Sequence, residues 1–356
     1  MIGRLANSTD PRASAIQEFG EALQQFDRGC PVIVMSHFDA DGLSAAAILV
    51  RALRQSGRDA EPLVLGKGET PWDSEVRERL EQRQPGGLIL ADLGTRAEPV
   101  LPGTPTLVID HHVPTGDPQG AVTLSGNGLK PEPTTSLLAY WAVQALGEQA
   151  DLLWLAAIGA IGDMADEAAF PEVVEAQKRY TKTALRDAVS LVNAPRRTAA
   201  ADAGPALRLL LTADGPKAIT KGDSADAEAL RAAKVEVREA MEAAKRTAPL
   251  VGDEVALIPL DSGCQIHPLI AQQWRGRLKD KVVIAANRGY RPGWVHFAAR
   301  SASGRNLIDF LARHRPEGAD SRYGNGHAQA TGGALPLKQW NTFISGLGFP
   351  QAQVDA

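Results

Sequence analysis

The chain has 356 residues, of which 44% are hydrophobic and 22% charged, a composition typical of folded globular proteins and a length that predicts two domains. It contains no apolar run of about 18 residues or more, and Met1–Gln17 lacks the apolar core of a signal peptide, so we expect a cytoplasmic protein without a membrane span. The net charge is −4, but residues 251–356 carry 12 Lys and Arg against 8 Asp and Glu, so an acidic part that suits cations precedes a basic part that suits anions.

The first half of the chain predicts an α/β domain with a mostly parallel sheet. Short apolar runs indicate buried strands at 31–35, 60–65, 87–91 and 106–109. Helices are predicted at 11–27, from 43 to near 57, and at 72–84, 134–146 and 151–162. Strands that are separated by helices or short loops favour parallel pairing.

The second half predicts a helical stretch and then a smaller α/β domain. Helices dominate residues 171–245, and residues 223–247 form one long helix between the two domains. Strands are then predicted at 254–259, 281–286 and 294–299, and helices at 266–276 and 304–314, followed by a Gly-rich loop at 323–333. The predicted boundaries are residues 1–200 for the first domain, 201–249 for the helical linker and 250–356 for the second domain.

The first predicted strand leads into His37, Asp39 and Asp41, which precede an Ala-rich helix. In open α/β sheets, ligands bind at the carboxyl ends of the strands. Alternation along an extended segment would place the three side chains on one side, where they form half of a divalent-metal site. The alternative is that the two Asp cap the helix, but capping needs one Asp and no His.

Two more predicted strands, and one helix, end in residues of the same kind. Asp92 follows one strand, Asp110, His111 and His112 follow the next, and Asp163 follows an apolar helix. Five carboxylates and three imidazoles at one rim would repel one another unless cations sit among them. Mixed His and Asp ligands without cysteine suit Mn²⁺, with Mg²⁺, Co²⁺, Fe²⁺ or Zn²⁺ as alternatives. The ligands are too many for one ion, so we predict two ions that share a carboxylate and promote displacement at phosphorus.

These motifs, in this order and spacing, resemble those of the DHH phosphoesterases. The matching motifs are Ser36-His37-x-Asp39-x-Asp41-Gly42, Asp92-x-Gly94, Asp110-His111-His112 and Gly162-Asp163. The C-terminal part resembles the family's DHHA1 domain through Arg300-Ser301 and the segment from Gly324 to Gly333. The resemblance covers residues 32–333 and implies a DHH catalytic domain at 1–200 and a DHHA1 substrate-binding domain at 250–356.

The resemblance implies a role for each motif residue. One metal ion is expected on His37, Asp39 and Asp92, and the other on Asp41, Asp92, His111 and Asp163, with Asp92 bridging. Asp110 is expected to orient a neighbouring group by a hydrogen bond. His112 is expected to face the substrate phosphate and protonate the leaving oxygen. Water activated by the metal ions is the expected nucleophile, without a covalent intermediate.

In the second domain, the resemblance implies that the substrate is bound by Arg300, Ser301, Gly324, Asn325, Gly326 and His327. Arginine suits this role because its guanidinium can bind two phosphate oxygens. The glycines let backbone amides approach an anion closely. Asn325 stands where the family loop often has a glycine, and the alternative for the whole segment is a plain flexible turn.

The substrate is open among several classes. The first is a phosphodiester in a short or cyclic nucleotide, such as cyclic di-adenylate, a linear dinucleotide or nano-RNA. The second is longer single-stranded DNA, as for RecJ-like exonucleases, which segment 159–163 resembles; the acidic net charge and the lack of room for an OB-type domain argue against it. A nucleotide 3′-phosphatase or a pyrophosphatase is third, and a catalytically inactive nucleotide sensor is the non-enzymatic alternative. We also expect a homodimer as one candidate assembly.

Overall fold

The computed structural model describes residues 5, 8–165, 167–320 and 322–355, and only the backbone of Ala168, Asn325 and His327. The chain divides into two compact units, one formed by 1–196 and 202–232 and the other by 197–201 and 233–356. None of the described helices is long and apolar enough to cross a membrane.

The first unit contains a five-stranded parallel sheet in the order β2-β1-β3-β4-β5. The strands are β1 (Val32–Ser36), β2 (Ala60–Val64), β3 (Gly87–Ala91), β4 (Thr106–Asp110) and β5 (Ala121–Ser125). β1 and β3 are buried along their whole length, as expected for strands covered on both faces. Four of these strands confirm the prediction; β5, an edge strand with a mixed sequence, was not predicted.

Helices cover this sheet on both faces. The α-helices that lie wholly in the first unit are α1 (Pro11–Gln25), α2 (Ala40–Gln55), α3 (Ser74–Glu81), α4 (Thr135–Val143), α5 (Leu153–Gly162), α6 (Pro171–Tyr180), α7 (Lys182–Val192), α8 (Gly204–Thr212) and α9 (Pro216–Lys221). α2 packs against α4 and α5, and most residues of these three helices are buried because most of them are apolar. On the other face, Val76 and Leu80 of α3 join Ile33 and Leu88 in one apolar cluster.

Helix α10 (Ala225–Ala244) is the predicted long helix, and the division between the two units falls within it. The second unit has a six-stranded mixed sheet in the order β10-β11-β9-β8-β7-β6, in which only β7 and β8 pair in parallel. The strands are β6 (Leu250–Val251), β7 (Val255–Leu260), β8 (Val282–Arg291), β9 (Trp294–Ser301), β10 (Tyr323–His327) and β11 (Ala330–Pro336). Its helices are α11 (His267–Arg275), α12 (Leu307–Arg313) and α13 (Leu337–Gly346). The predicted two-domain α/β architecture is therefore confirmed.

The predicted Gly-rich loop at 323–333 is wrong, because this segment forms β10 and the first part of β11. Glycine usually weakens a strand, but here it lets neighbouring backbones approach. A Cβ atom on Gly332 would lie 2.4 Å from the carbonyl oxygen of Phe297 in β9, and one on Gly333 would lie 2.6 Å from that of Arg322. The glycines therefore serve strand pairing in this hairpin.

Candidate metal centre

The segment between β1 and α2 brings His37, Asp39 and Asp41 to the carboxyl end of the sheet. α2 already begins at Ala40, so Asp41 lies in its first turn. The prediction that one extended segment places all three side chains on one side is therefore wrong, because the backbone turns helical after Asp39. Gly42 permits this tight turn, since a Cβ atom there would lie 2.6 Å from the carbonyl oxygen of His37.

Asp39 both caps the helix and faces the candidate site, using a different oxygen for each. Its Oδ1 accepts a hydrogen bond from the N–H of Gly42 at 3.1 Å, which satisfies a free donor at the start of α2. Its Oδ2 lies 3.1 Å from Nδ1 of His37. Helix capping and the predicted ligand role are therefore compatible, because Oδ1 of Asp39 caps α2 while Oδ2 faces the site.

The first group of possible metal ligands consists of His37, Asp39 and Asp92, whose ligand atoms lie within 4.8 Å of one another. Asp92 follows β3 with a φ of 65°, a left-handed conformation that is uncommon for residues other than glycine. Its Oδ2 lies 3.6 Å from Nδ1 of His37. Such strained conformations are found where the surroundings fix a functional side chain.

The second group consists of Asp41, His111 and Asp163. Nε2 of His111 lies 3.3 Å from Oδ2 of Asp163 and 4.0 Å from Oδ2 of Asp41. The same nitrogen is 3.6 Å from Oδ1 of Asp92. Asp92 therefore stands between the two groups, with one oxygen toward His37 and the other toward His111.

Asp110 and His112 form a pair at the edge of these groups. The buried carboxylate of Asp110 accepts hydrogen bonds from the N–H of Gly94 at 2.7 Å and from the N–H of His112 at 2.7 Å. Nδ1 of His112 lies 3.0 Å from Oδ1 of Asp110. The imidazole of His112 is half exposed, and Asp110 fixes its orientation. Burial opposes the ionised form of Asp110, but the bonds from His112 and Gly94 outweigh it and lower the pKa of Asp110.

The protonation equilibria reflect a crowded acidic site. Burial, together with the nearby Asp92, raises the pKa of Asp41 to about 7. Burial disfavours the charged form of His111, yet Asp92, Asp41 and Asp163 together raise its pKa to about 10. Buried carboxylates this close to one another favour the binding of a cation. Because the donors are imidazole nitrogens and carboxylate oxygens, they fit divalent ions such as Mn²⁺ or Mg²⁺.

Several residues that support this site were not predicted. The backbone N–H groups of Thr135 and Ser136, at the start of α4, donate to Oδ2 and Oδ1 of Asp41 at 2.9 and 3.0 Å. Oγ1 of Thr135 donates to Oδ1 of Asp92 at 3.2 Å. The Thr134-Thr135-Ser136 run, at the start of the helix predicted at 134–146, was a sequence signal for such a helix start.

Two further supporting residues follow α7, and no local pattern in the sequence indicates their role. Oδ1 of Asn193 accepts a hydrogen bond from the N–H of Ala40 at 3.0 Å, which satisfies another free donor at the start of α2. Nη1 of Arg196 lies 3.4 Å from Oδ2 of Asp39. Arg196 therefore places a positive charge beside the first ligand group.

Two of the residues predicted to bind substrate in the second unit, Arg300 and Ser301, do not share one surface. Arg300 and Ser301 are the last two residues of β9, whereas they were predicted to follow the strand. Ala298 belongs to the apolar cluster with α11, and Ala299 to the cluster with α12 and α13, so Arg300 and Ser301 point to opposite faces. Ser301 is buried, and its hydroxyl lies 2.8 Å from that of Ser303.

The predicted glycine segment lies at the edge of the same sheet. Gly324 and Gly326 belong to β10 and have φ values of 83° and 131°. The side chains of Asn325 and His327, which were also predicted to bind substrate, lie outside the described part of the chain. The guanidinium of Arg300 donates to the carbonyl oxygens of Ala299 and Thr331 at 2.9 and 3.1 Å.

Comparison with known proteins identifies relatives of this arrangement. Residues 31–160 match the model of the DHH family, N-terminal domain. The chain is 31% identical over 243 residues to the single-stranded-DNA-specific exonuclease RecJ of Thermus thermophilus, a match that includes 58% of this chain and 35% of that protein. The chain thus spans about a third of the length of this curated relative.

Solved structures share the fold of both units. A crystal structure of exonuclease RecJ bound to manganese matches with a TM-score of 0.68 and 22% identity, covering 96% of this chain and 95% of that one. The crystal structure of RecJ from Thermus thermophilus in complex with Mn²⁺ matches with a TM-score of 0.71 and 22% identity, covering 98% of this chain and 56% of that one. The segment that matches the DHH family, N-terminal domain, residues 31–160, includes the strands that lead to His37, Asp92 and His111.

Proposed function

We propose that this protein is a metal-dependent hydrolase that cleaves phosphodiester bonds. The observation that carries the proposal is the position of Asp92, whose two oxygens lie 3.6 Å from the ring nitrogens of His37 and His111. One carboxylate between two groups of His and Asp ligands suits two neighbouring divalent ions. The expected first set is His37, Asp39 and Asp92, and the expected second set is Asp41, Asp92, His111 and Asp163.

Divalent ions bound there would activate water and neutralise charge on the phosphate. The chain's own residues supply the rest of the chemistry. Asp110 accepts the hydrogen bond from Nδ1 of His112 and raises the pKa of that imidazole. This shift favours the protonated imidazole of His112, which is half exposed beside the ligand groups. We assign it the role of stabilising the phosphate and protonating the leaving oxygen.

The RecJ relative supports single-stranded nucleic acid as the substrate, with exonuclease activity as the reaction. The match is 31% identical and extends over 243 residues, well beyond the family domain at 31–160. Short or cyclic nucleotides, such as cyclic di-adenylate, dinucleotides and nano-RNA, need the same metal chemistry and are the second candidate. Use of Mn²⁺, a cytoplasmic location, a DHHA1 assignment for the second unit and a homodimer remain predictions.

The test combines metal reconstitution with a substrate-length series. Protein stripped of metal should regain phosphodiester cleavage with Mn²⁺ and far less with Ca²⁺, because Ca²⁺ favours a larger and more flexible ligand set. Equal rates with both ions, or cleavage in excess chelator, would contradict the two-metal proposal. Cyclic di-adenylate and DNA and RNA of two, five and twenty nucleotides would then be compared. A rate that rises with length favours the exonuclease, and a rate that is highest on dinucleotides or the cyclic compound favours the second candidate.

A further inference from the structure

The connection from β3 to β4 crosses one face of the first unit's sheet as a loop. Parallel strands are usually joined by a helix that covers the sheet, but residues 92–105 contain neither helix nor strand. Long loops without regular structure are uncommon in compact domains and are often functional. Val100 and Leu101 of this loop are buried in one apolar cluster with Leu90 and Val108 of the sheet. The loop therefore takes the place of a covering helix on this face.

A pocket of about 390 Å³ lies between this loop and the sheet. Sites for small ligands usually have a volume in this range. The lining includes Leu90 and Val108 from the face of the sheet, and Thr106 and Ala121, which begin β4 and β5. The predicted metal ligands stand at the other end of the strands, about 13 Å along β4 from its first residue. The pocket between residues 92–105 and the sheet is called the loop pocket below, and it extends away from the candidate metal centre.

The loop pocket contains a buried hydroxyl group without a partner. Thr95 lines the pocket and is 3% exposed, and its Oγ1 forms no hydrogen bond with any residue that the structure describes. Its backbone carbonyl oxygen, in contrast, accepts hydrogen bonds from the N–H and Oγ1 of Thr115 at 2.9 and 3.0 Å. Buried polar side chains usually have hydrogen-bond partners. The hydroxyl of Thr95 therefore indicates that a polar group of a bound molecule belongs here.

The loop pocket is also lined by an arginine whose charge is not compensated. The guanidinium carbon of Arg96 lies 4.2 Å from the centroid of the Trp72 ring, a distance that favours cation–π attraction. Nε1 of Trp72 donates to the carbonyl oxygen of Glu98 at 2.8 Å, which fixes the ring against the loop. The carboxylate of Glu98 pairs with Arg77, and no described residue forms an ion pair with Arg96. The Arg96 guanidinium is therefore held in place with its N–H groups available to an anion.

These three features together define the chemistry of the ligand. The apolar walls suit a ring, which can also stack on the indole of Trp72 or on the planar guanidinium of Arg96. The hydroxyl of Thr95 suits a nitrogen or oxygen atom of that ring, and the guanidinium suits an anion attached to it. A nucleotide has all three groups, because its base is a ring with hydrogen-bonding atoms and its phosphate is an anion at one end.

We propose that the loop pocket is a second nucleotide site, which binds a nucleoside monophosphate with its base between the loop and the sheet and its phosphate at Arg96. The choice of a nucleotide among aromatic anions rests on the proposed function, because an exonuclease releases nucleoside monophosphates. The pocket itself rests only on the geometry of the first unit.

A nucleotide in this pocket would contact the segment that orients His112. Gly94 lines the pocket, and its N–H donates to Oδ2 of Asp110 at 2.7 Å. The other oxygen of Asp110 lies 3.0 Å from Nδ1 of His112. Thr95 in turn holds Thr115, which follows His112 by three residues. A ligand that shifts or restrains residues 94–95 would therefore act on the rate of the chemical step, so the site is regulatory.

The first experiment measures binding to metal-free protein in excess chelator, so that nucleotide held by metal ions does not interfere. Calorimetry would compare AMP with adenosine and with ribose 5-phosphate. AMP should bind at least tenfold more tightly than either fragment, because only AMP offers both the base and the phosphate. Equal affinity for AMP and for either fragment would overturn the proposal.

Variants then locate the bound nucleotide. R96Q should bind AMP about tenfold more weakly and adenosine as before, because a hydrogen-bonded charge pair with the phosphate is lost. T95V keeps the shape of the side chain, removes only an unpartnered hydroxyl and should weaken AMP about fivefold without loss of folding stability. The control is R83Q, since Arg83 pairs with Glu61 in the same unit and does not line the pocket.

Unchanged AMP affinity in both R96Q and T95V would overturn the proposal. D41N tests the location from the other side, because Asp41 belongs to the candidate metal centre. D41N should bind AMP like the unaltered protein. Loss of AMP binding in D41N would place the nucleotide at the metal centre and would also overturn the proposal.

The second experiment measures hydrolysis with Mn²⁺ restored. AMP should change kcat at least twofold in the unaltered protein and in R83Q but not in R96Q, whereas competition at the metal centre would only raise KM. An equal change of kcat in R96Q would overturn the regulatory role. If AMP binds as expected but Mn²⁺ restores no phosphodiester cleavage, the second site stands and the hydrolase proposal fails. If cleavage is restored but metal-free protein binds no AMP, only the second site fails.

Discussion

Oδ2 of Asp41 accepts a hydrogen bond from the backbone N–H of Thr135 at 2.9 Å. This bond comes from the first turn of α4, where the helix dipole favours a negative charge. The same oxygen is the one that lies 4.0 Å from Nε2 of His111. A residue 94 positions away in the sequence therefore fixes the orientation of a predicted metal ligand.

Replacement of Asp41 by Asn should abolish nearly all hydrolysis. The amide keeps the shape of the side chain but removes its charge, so one group of ligands loses a carboxylate. We expect a loss of about a hundredfold or more in rate, together with weaker binding of Mn²⁺ by calorimetry. Asp151→Asn is the control, because Asp151 is half exposed and pairs with Arg51 in the same unit. Equal activity of D41N and D151N would contradict a ligand role for Asp41.

Gly159 should be essential for the shape of the site, although it binds nothing itself. A Cβ atom there would lie 2.1 Å from Oγ of Ser136 and 2.5 Å from Oδ1 of Asp41. Gly159→Ala should therefore displace Asp41, weaken the binding of Mn²⁺ and cost about 1–3 kcal/mol in the free energy of unfolding. Gly20→Ala is the matched control, since its Cβ atom would meet only Ala145, at 3.9 Å, and a helix generally gains from this change. Wild-type metal affinity in G159A would show that the helix can shift without moving Asp41.

Replacement of Arg196 should increase the affinity for metal ions. Its guanidinium lies 3.4 Å from Oδ2 of Asp39 and thus competes with a cation for that oxygen. Because its side chain is 20% exposed, we expect a gain of about 1 kcal/mol, roughly fivefold in Mn²⁺ affinity, for Arg196→Gln. Arg51→Gln, which removes a cation of similar exposure paired with Asp151, should leave Mn²⁺ binding unchanged. Weaker binding in R196Q would indicate that Arg196 instead holds Asp39 in its ligand position.

The protein should become less stable as the pH decreases, because His267 titrates. Burial lowers the pKa of this imidazole from 6.5 to about 3, with smaller contributions from His296 and Arg300. The contribution of His267 to stability is therefore fully present above pH 6.5, which is its pKa in the unfolded chain. It is lost as the pH falls toward 3, because in that range only the unfolded chain binds the proton. Between pH 7 and pH 5 the free energy of unfolding should decrease by about 2 kcal/mol through this residue.

Urea unfolding at the two pH values provides the measurement. His267→Gln should reduce this pH dependence, because the amide does not titrate. The control is His314→Gln, which changes a half-buried histidine at the end of α12 in the same unit. An equally steep decrease in H267Q and in the unaltered protein would show that other groups cause it.

The sequence by itself determined that several predicted metal ligands lie at the carboxyl ends of strands. His37 and Asp92 come directly after short apolar strands and Asp110 ends another, and that pattern depends only on neighbouring residues. Parallel strands place their carboxyl ends at one edge, so the sequence also predicted that these ends meet. The long α10 and the apolar α4 and α5 followed from composition for the same local reason.

Only the tertiary structure decided which groups face one another. Asp41 turned out to lie in a helical turn, and its partners, Thr135 and Ser136, come from a helix that packs beside it. Arg196 reaches Asp39 from the segment that follows α7, a contact that no local pattern encodes. In the second unit, Arg300 and Ser301 are adjacent in β9 but lie on opposite faces of the sheet, because side chains alternate between the faces. Distances between remote side chains depend on how elements pack and in which register they pair, and both depend on the whole folded chain.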